Sequence, residues 1–460
     1  MKNTNKGELQ NFVDLFFDIE KRHNLFSVEH YGFKYWDVVR YDVFYKIYYK
    51  FFGIEISSTN SKMRKNSFTI FQKLTHVIKF YYSSVFIRRK YLFFTASRNI
   101  NESGLMFDVN LNDCISILKN DSIVIETFSK NEKSLYDCIF DYGLVIENKI
   151  SITYRQLFPR RKKDRFIVSE ILKNEFKIEE DFDELIAESI RNYKVQFKHY
   201  IRLFNATQPK AIFVVQYGVQ KGMFTAANYL NIPIVEVQHG LFGYYHPSYS
   251  YPGFVLKNQL NTLPRYFFTY SDFWTRTINF PVLETYPIGN SFVSGIITKA
   301  EVKYEITVLY ADGYNKYLLP LIDDLLSSGY KSNMCIKLHP SLFNHHESVV
   351  EYFKPYKFID VIKNEVSVER LLSISKSILV IQSTTVYQAL NNKVFVFILK
   401  ALDFEIHADV FDNQLVCLVD SAPEIIERLE KIKINKDEPG NTFFEDFNEK
   451  LFLDFMKVIE

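Results

Sequence analysis

Histidines and hydroxyl groups follow directly after three apolar runs of the chain. His239 comes after IPIVEVQ, and His339 comes after MCIKL. After SILVIQ stand Ser383, Thr384 and Thr385. A histidine can act as a general base near neutral pH, and hydroxyls with free amides at a helix start can bind anions. The first segment therefore predicts proton transfer, and the other two predict contacts to phosphate.

Each of these residues also has a plain structural interpretation. The hydroxyl cluster could only cap a helix, and His339 could be an ordinary loop residue before Pro340, which fixes the loop geometry. His239 could bind a ligand or pack in a Tyr-rich loop instead of taking a proton. Its neighbour Gly240 permits a positive φ or a close backbone approach, and Gln238 precedes it.

The elements that must position these residues are strands alternating with helices. Such alternation predicts βαβ units and parallel sheets, in which ligands bind at the carboxyl ends of the strands. Two successive series predict an α/β, GT-B-like chain with two Rossmann-type domains that face a central cleft. The expected divisions are a helical segment at 1–90, an acceptor domain at 91–295, a donor domain at 296–440 and a closing helix at 441–460.

Several familiar cofactor motifs are missing from the sequence. ADG, which contains Asp312 and Gly313, follows the first strand of the second series but is not a GxGxxG fingerprint, so NAD is not predicted. Neither a Walker A motif nor a GxSxG elbow occurs, and we expect neither a cofactor nor a metal ion. The four cysteines form no CxxC pair, and we expect reduced thiols.

Together, QHG, PIGN, KLHP and QSTT resemble motifs of bacterial GT-B glycosyltransferases that build surface polysaccharides. The similarity covers about residues 205–432 and includes sialyl and Kdo transferases with an HP motif, as well as CDP-glycerol glycerophosphotransferases. It implies a nucleotide-sugar donor, CMP-, CDP-, UDP- or GDP-linked, and a polysaccharide or lipid-linked glycan acceptor. It also implies donor contacts from the second domain, by Asp312, Gly313, His339, Pro340, Ser383, Thr384 and Thr385. The implied cleft contacts are Gln238, Gly240, Gly289 and Asn290.

The chain departs from these families at two points. The sialyltransferase motif with two acids and a glycine has no clear equivalent in the first domain, where Asp108 and Glu102 are only loose alternatives to His239 as the base. In the glycerophosphotransferases an acidic residue and a tyrosine precede the paired serine, whereas Ile381 and Gln382 precede Ser383 here.

The overall charge is close to balanced, with 56 Lys and Arg against 54 Asp and Glu, which argues against a nucleic-acid partner. No apolar run is long enough to cross a bilayer, and no signal core begins the sequence. We expect a cytoplasmic protein that touches the inner membrane surface through basic segments at 68–90 and 159–165.

The expected reaction is metal-independent transfer of a sugar to a hydroxyl. Three alternatives stay open: a CDP-polyol phosphotransferase, a non-hydrolysing sugar-nucleotide 2-epimerase, and a non-catalytic partner in polysaccharide assembly. The sequence does not choose between a retaining and an inverting outcome, and it gives no oligomeric state.

Overall fold

The computed structural model describes most of the chain, namely residues 7–54, 89–95, 99–100, 103–126, 134–157, 164–257, 259–295, 300–311, 313–363, 365–432 and 443–459. It divides into two compact units. The larger unit comprises Asp14–Gly53, Ser61–Phe292 and Glu445–Glu460, and the smaller unit comprises Met1–Val13, Ile54–Asn60 and Val293–Phe444.

This division differs from the expected one at both ends of the chain. The junction near residue 292 lies close to the expected boundary at 295. The segment 1–90, however, contributes residues to both units, and the helix at the carboxyl end belongs to the larger unit. Phe452, Phe455 and Met456 of that helix join the core of the larger unit, which explains why it is not a separate element.

The larger unit is built on a seven-stranded parallel sheet in the order β11-β10-β9-β8-β3-β6-β7. Its three central strands are buried along their whole length, because helices cover both faces of such a sheet. The strands are β3 (Tyr91–Thr95), β6 (Ser122–Glu126), β7 (Cys138–Phe140), β8 (Ala211–Val214), β9 (Ile234–Val237), β10 (Tyr266–Phe268) and β11 (Glu284–Tyr286); the short pairs are β1 (Glu29–His30) with β2 (Phe33–Lys34) and β4 (Asn99–Ile100) with β5 (Met106–Phe107).

The first helix, α1 (Glu8–Arg22), begins in the smaller unit, and the next eight described helices lie in the larger one, the last of them extending past Phe292. These eight are α2 (Trp36–Phe51), α3 (Asn112–Leu118), α4 (Tyr142–Leu157), α5 (Ile167–Phe176), α6 (Asp183–Thr207), α7 (Lys221–Tyr229), α8 (Asp272–Thr277) and α9 (Ser291–Ser294). The long helix α6 contacts α2, α4 and α7. Helix α2 ends just before Gly53, whose φ of 60° suits a residue that follows a helix C-terminus.

The smaller unit contains a six-stranded parallel sheet in the order β14-β13-β12-β15-β16-β17. Numbered from its own first strand, this is the 3-2-1-4-5-6 order of Rossmann-type domains. The strands are β12 (Tyr304–Tyr310), β13 (Met334–Leu338), β14 (Ile359–Ile362), β15 (Ser375–Val380), β16 (Phe395–Leu399) and β17 (Val416–Val419); the helices are α10 (Asn315–Ser327), α11 (His346–Phe353), α12 (Val368–Ser373), α13 (Thr385–Asn391) and α14 (Ala422–Lys431), and α15 (Glu449–Ile459) closes the larger unit.

The predicted fold class is confirmed, with two Rossmann-like parallel sheets, flanking helices and additional N-terminal helices. The two basic segments predicted to touch a membrane lie almost entirely outside the described residues. Among the helices of the described residues, none combines the length and the apolar character needed to cross a bilayer.

Candidate functional site

His239 stands at the carboxyl end of β9 beside a buried carboxylate. Its Nδ1 lies 3.5 Å from Oε1 of Glu236, within ion-pairing range but longer than a well-formed charge-assisted hydrogen bond. Nδ1 itself is buried and has no hydrogen-bond partner among the described residues, whereas the side chain as a whole is 23% exposed. The arrangement suits a base that takes a proton at its exposed side while the nearby carboxylate stabilises the protonated ring.

Glu236 is fully buried and is held from several sides. Its carboxylate accepts hydrogen bonds from the Tyr249 hydroxyl at 2.7 Å and from the Tyr217 amide at 3.1 Å. Burial raises the pKa of Glu236, and His239 and these donors oppose the rise. The sequence signal for this residue, which was not predicted, is an acid inside the apolar run IPIVEVQ.

A buried polar cluster connects α2 to the chain around His239. Asp37 forms an ion pair of 3.0 Å with Lys221 and accepts a hydrogen bond of 2.8 Å from the hydroxyl of Tyr251. Burial alone would raise the pKa of Asp37, but Lys221 and the hydroxyls of Thr262 and Tyr251 lower it overall. The hydroxyl of Tyr217 lies 2.9 Å from that of Tyr251, so the cluster is continuous with the partners of Glu236.

A second ion pair anchors the loop that follows His239 to helices α1 and α2. Arg40 of α2 binds Glu20 of α1 at 2.6 Å, donates to the carbonyl of Pro247 and lies over the ring of Tyr251. In the same loop His246 is half-buried, and desolvation lowers its pKa to about 3. Its Nδ1 accepts the amide hydrogen of Ser248, so this histidine is neutral and structural.

Gln238 and Gly240, both predicted to bind substrate, differ in what surrounds them. The Gln238 side chain accepts from the Tyr270 amide at 2.9 Å and donates to the Gly240 carbonyl at 3.1 Å, so its polar atoms join the ends of two strands. Gly240 has no positive φ, and a Cβ there would meet no atom within 4 Å. The backbone therefore does not require glycine at 240.

Gly289 and Asn290 hold the carboxyl-terminal segment against the larger unit. Gly289 has a φ of 75°, and a Cβ there would lie 2.2 Å from the carbonyl oxygen of Asp446. The amide of Asn290 donates to the Glu445 carbonyl, and its side chain donates to the Val109 carbonyl, both at 2.9 Å. These contacts are structural, and a ligand role for the two residues stays a prediction.

Asp108, the weaker alternative base, supports the turn before α3. Its Oδ1 accepts the amide hydrogen of Asn110 at 2.9 Å, and the side chain is buried. An acid used this way is a poor proton acceptor, so the geometry favours His239 over Asp108. The other alternative, Glu102, lies outside the described residues.

In the smaller unit the predicted donor residues share one edge of the sheet. His339 follows β13, Gly313 follows β12 and Ser383 follows β15. Because β12 lies between β13 and β15, the backbones at 339 and 383 are two strand spacings apart, about 10 Å. The chain reverses its direction of travel across the sheet between β12 and β15, which is where Rossmann-type sheets bind ligands.

Much of the hydroxyl cluster is engaged in holding its own loop. Ser383 Oγ accepts the amide hydrogen of Thr385 at 3.1 Å, and the Ser383 amide donates to Nε2 of His407 at 3.2 Å. Burial lowers the pKa of His407 to about 3, so its imidazole is neutral and can accept this bond. Ser383 therefore binds the first amide of α13. Thr384, the N-cap residue, is half-buried and makes no side-chain capping hydrogen bond, so it is the member best placed for a ligand.

The turns after β13 and β12 contain the predicted residues His339 and Gly313. His339 is exposed, and Pro340 opens a 3₁₀ turn, Pro340–His345, immediately after it. Gly313 has a φ of 84°, and a Cβ there would meet no atom within 4 Å, so the turn needs glycine for its backbone angle alone. Asp312 is not among the described residues.

Sequence reasoning missed a tyrosine that spans the switch point. The hydroxyl of Tyr314, which precedes α10, lies 2.5 Å from Oε1 of Gln382 and 2.6 Å from Oδ2 of Asp403. It connects the loops that follow β12, β15 and β16. Neither partner could be found from spacing, because 68 and 89 residues separate them from Tyr314.

Within the described part of the chain, no group of three or more His, Cys, Asp or Glu side chains is placed to hold a metal ion. All four cysteines are free thiols.

No family model matches the chain, and no curated protein does. Among solved structures, it is similar to the UDP-GlcNAc 2-epimerase of Methanocaldococcus jannaschii, with 13% identity over 80% of this chain and 99% of that one and a TM-score of 0.47. The corresponding enzyme of Neisseria meningitidis, bound to UDP-GlcNAc, shows 14% identity, the same coverages and a TM-score of 0.45. MurG of Acinetobacter baumannii shows 13% identity over 81% and 91% of the two chains, with a TM-score of 0.36.

Proposed function

We propose that this chain is a glycosyltransferase that uses a nucleotide-sugar donor and needs no metal ion. The observation that carries the proposal is the pairing of a partly exposed His239 with the buried Glu236 at the carboxyl edge of a Rossmann-like sheet. A carboxylate behind an imidazole is the arrangement used to hold a general base in one orientation and to stabilise its protonated form.

The smaller unit is the proposed nucleotide-binding unit. Its strand order, its switch-point loops and the exposed His339 beside them suit a nucleotide diphosphate that lies across the loops after β12 and β15. The Thr384 hydroxyl and amide would contact the phosphates together with His339.

In the proposed reaction the outer ring nitrogen of His239 takes the proton of an acceptor hydroxyl. The acceptor oxygen forms a bond to the anomeric carbon, and the bond between that carbon and the donor phosphate oxygen breaks with its electrons passing to the phosphate. His339 and the Thr384 amide would stabilise the negative charge that develops there. The account balances with no oxidant, reductant or metal ion.

The acceptor and the cellular location are proposed from the sequence resemblance. The acceptor would be a growing capsule or lipopolysaccharide chain, or a lipid-linked glycan, and the reaction would take place in the cytoplasm. The donor base is left to experiment among CMP, CDP, UDP and GDP.

The test is ³¹P and ¹H NMR of the full chain with sugar nucleotides of each of the four bases, with and without added glycan acceptors. The proposal expects release of free nucleotide, accelerated by an acceptor, and a glycosylated product. Interconversion of the donor with its 2-epimer in the absence of acceptor would replace the proposal with the epimerase alternative. Transfer of a polyol phosphate would replace it with the phosphotransferase, and no change with any donor would contradict it.

A further inference from the structure

One side of helix α4 presents aliphatic side chains to solvent. Ile150 is 62% exposed and Tyr154 is 65% exposed, and Ile146 is exposed one turn earlier on the same side. On a helix, residues four positions apart lie above one another, so Ile146, Ile150 and Tyr154 form a continuous surface, which we call the α4 surface. Val145 and Ile152 are also exposed, but on another side of the helix. Single exposed aliphatic residues are ordinary, but a contiguous group marks an interaction site.

A cationic cavity adjoins the α4 surface. It has a volume of about 400 Å³, and Tyr154 and Arg155 of α4 line it. From α6 it receives Arg191, Lys194 and Lys198, which are spaced to share one helix side, and Asp164 is its only carboxylate among the described residues.

The cations of this cavity are only partly neutralised. Arg191 forms an ion pair of 2.9 Å with Glu188, on α6 itself. Lys194 lies over the ring of Phe33, 5.5 Å from its centroid. Neither Lys194 nor Lys198 forms an ion pair with a described carboxylate. The hairpin that carries Phe33 also places Tyr31, 90% exposed, at the cavity.

We propose that the α4 surface and this cavity together dock the protein on an anionic lipid bilayer. The aliphatic side chains would enter the boundary between headgroups and acyl chains, and the lysines and arginines would bind lipid phosphates. Tyr31 and Tyr154 combine a ring with a polar hydroxyl, which suits the interface itself. The charge decides for a membrane rather than a second copy of the chain, because two cationic cavities would repel each other across a symmetric contact.

This inference does not depend on the proposed sugar transfer, and its test contains no nucleotide. The full chain is sedimented with vesicles of phosphatidylcholine alone and of phosphatidylcholine mixed with phosphatidylglycerol. We expect binding to the mixed vesicles, weakened about tenfold in the Ile146→Ser/Ile150→Ser variant. Lys194→Glu/Lys198→Glu should abolish the preference for the anionic vesicles.

Matched controls use exposed residues elsewhere. Val458→Ser changes an aliphatic residue that is 67% exposed on α15, and Lys331→Glu reverses an exposed charge in the smaller unit; both should bind vesicles as the unaltered protein does. Because every altered side chain is at the surface, circular dichroism should show an unchanged fold. Equal binding to both vesicle types, undiminished binding by the α4 variant, or a dimer in light scattering that the α4 variant dissolves would overturn the proposal.

Discussion

At the scale of single residues, burial and neighbours assign four histidines to different tasks. His239 is partly exposed beside a carboxylate, and His339 is exposed at a sheet edge. His246 is half-buried and His407 is fully buried, and both are neutral. The first two positions are predictable, because each follows an apolar run that had to be a strand. Glu236 stands only three residues before His239, whereas Tyr249 reaches Glu236, and His407 reaches Ser383, only through the tertiary fold, so these last two contacts are not predictable.

Replacing Glu236 with Gln should separate proton transfer from binding. The amide can still accept from Tyr249 and Tyr217 but has no charge to stabilise protonated His239, so kcat should fall by about 10²-fold with donor KM little changed. Steady-state kinetics on the active donor measure this. Glu284→Gln, on an exposed strand position of the same sheet, is the control. A kcat for Glu236→Gln equal to that of the control would remove Glu236 and His239 from the mechanism.

Replacing His407 with Gln should reduce acid sensitivity. The pKa of His407 is about 3 when folded and near its ordinary value when unfolded, so protons bind preferentially to the unfolded chain. Its contribution to stability is complete above about pH 6.5 and decreases as the pH falls towards 3. From pH 7 to pH 5, urea titration should show the unaltered protein losing about 2 kcal/mol more than His407→Gln. Equal losses would show that His407 already binds a proton in the folded state.

At the scale of elements, the N-terminal helices hold the chain that carries His239. The apolar spacing before Gly53 predicts helix α2, but not that its Asp37 and Arg40 point inward to Lys221 and the carbonyl of Pro247. A charged residue in an amphipathic pattern is normally assigned to the solvent side. Only the placement of α2 against α6 and the neighbouring loop shows that these charges are buried.

The Asp37→Asn variant tests this anchoring. It leaves the Lys221 ammonium buried without a carboxylate. The free energy of unfolding, measured by urea titration of the full chain, should therefore fall by about 3–5 kcal/mol. Adding Lys221→Met removes the unpaired charge and should recover part of the loss. Asp18→Asn, whose ion pair with Arg22 is exposed, should cost less than about 1 kcal/mol. If Asp37→Asn cost no more than Asp18→Asn, the cluster would not hold the fold together.

Gly289 tests how the carboxyl-terminal segment is held. Alanine at 289 needs a positive φ and places Cβ against the Asp446 carbonyl, so Gly289→Ala should lower stability by more than about 2 kcal/mol. Gly253→Ala, where φ is not positive and no atom lies within 4 Å, should change it by less than about 0.5 kcal/mol. Thermal unfolding of both variants checks this, and equal midpoints would show that the segment can move away freely.

At the scale of the whole molecule, alternation of apolar runs and helices was enough to predict two Rossmann-like sheets. Strands β8, β9, β13, β15 and β16 lie within three residues of the bounds of the predicted apolar runs, because most of their residues are apolar and buried. Strands β7, β14 and β17 were missed. They are sheet-edge strands of three or four residues, and two of them are only partly buried, so they lack an apolar run of their own.

The measurement that tests the account most directly is titration calorimetry of the full chain with CMP, CDP, UDP and GDP. The account predicts that one of the four binds. It also predicts that Thr384→Val and His339→Ala each weaken that binding by about tenfold or more, because each removes a phosphate contact at the switch point of the smaller unit. Lys331→Ala, an exposed change in the same unit, should leave the affinity unaltered. Binding of none of the four nucleotides, or binding that neither switch-point variant weakens, would contradict the account.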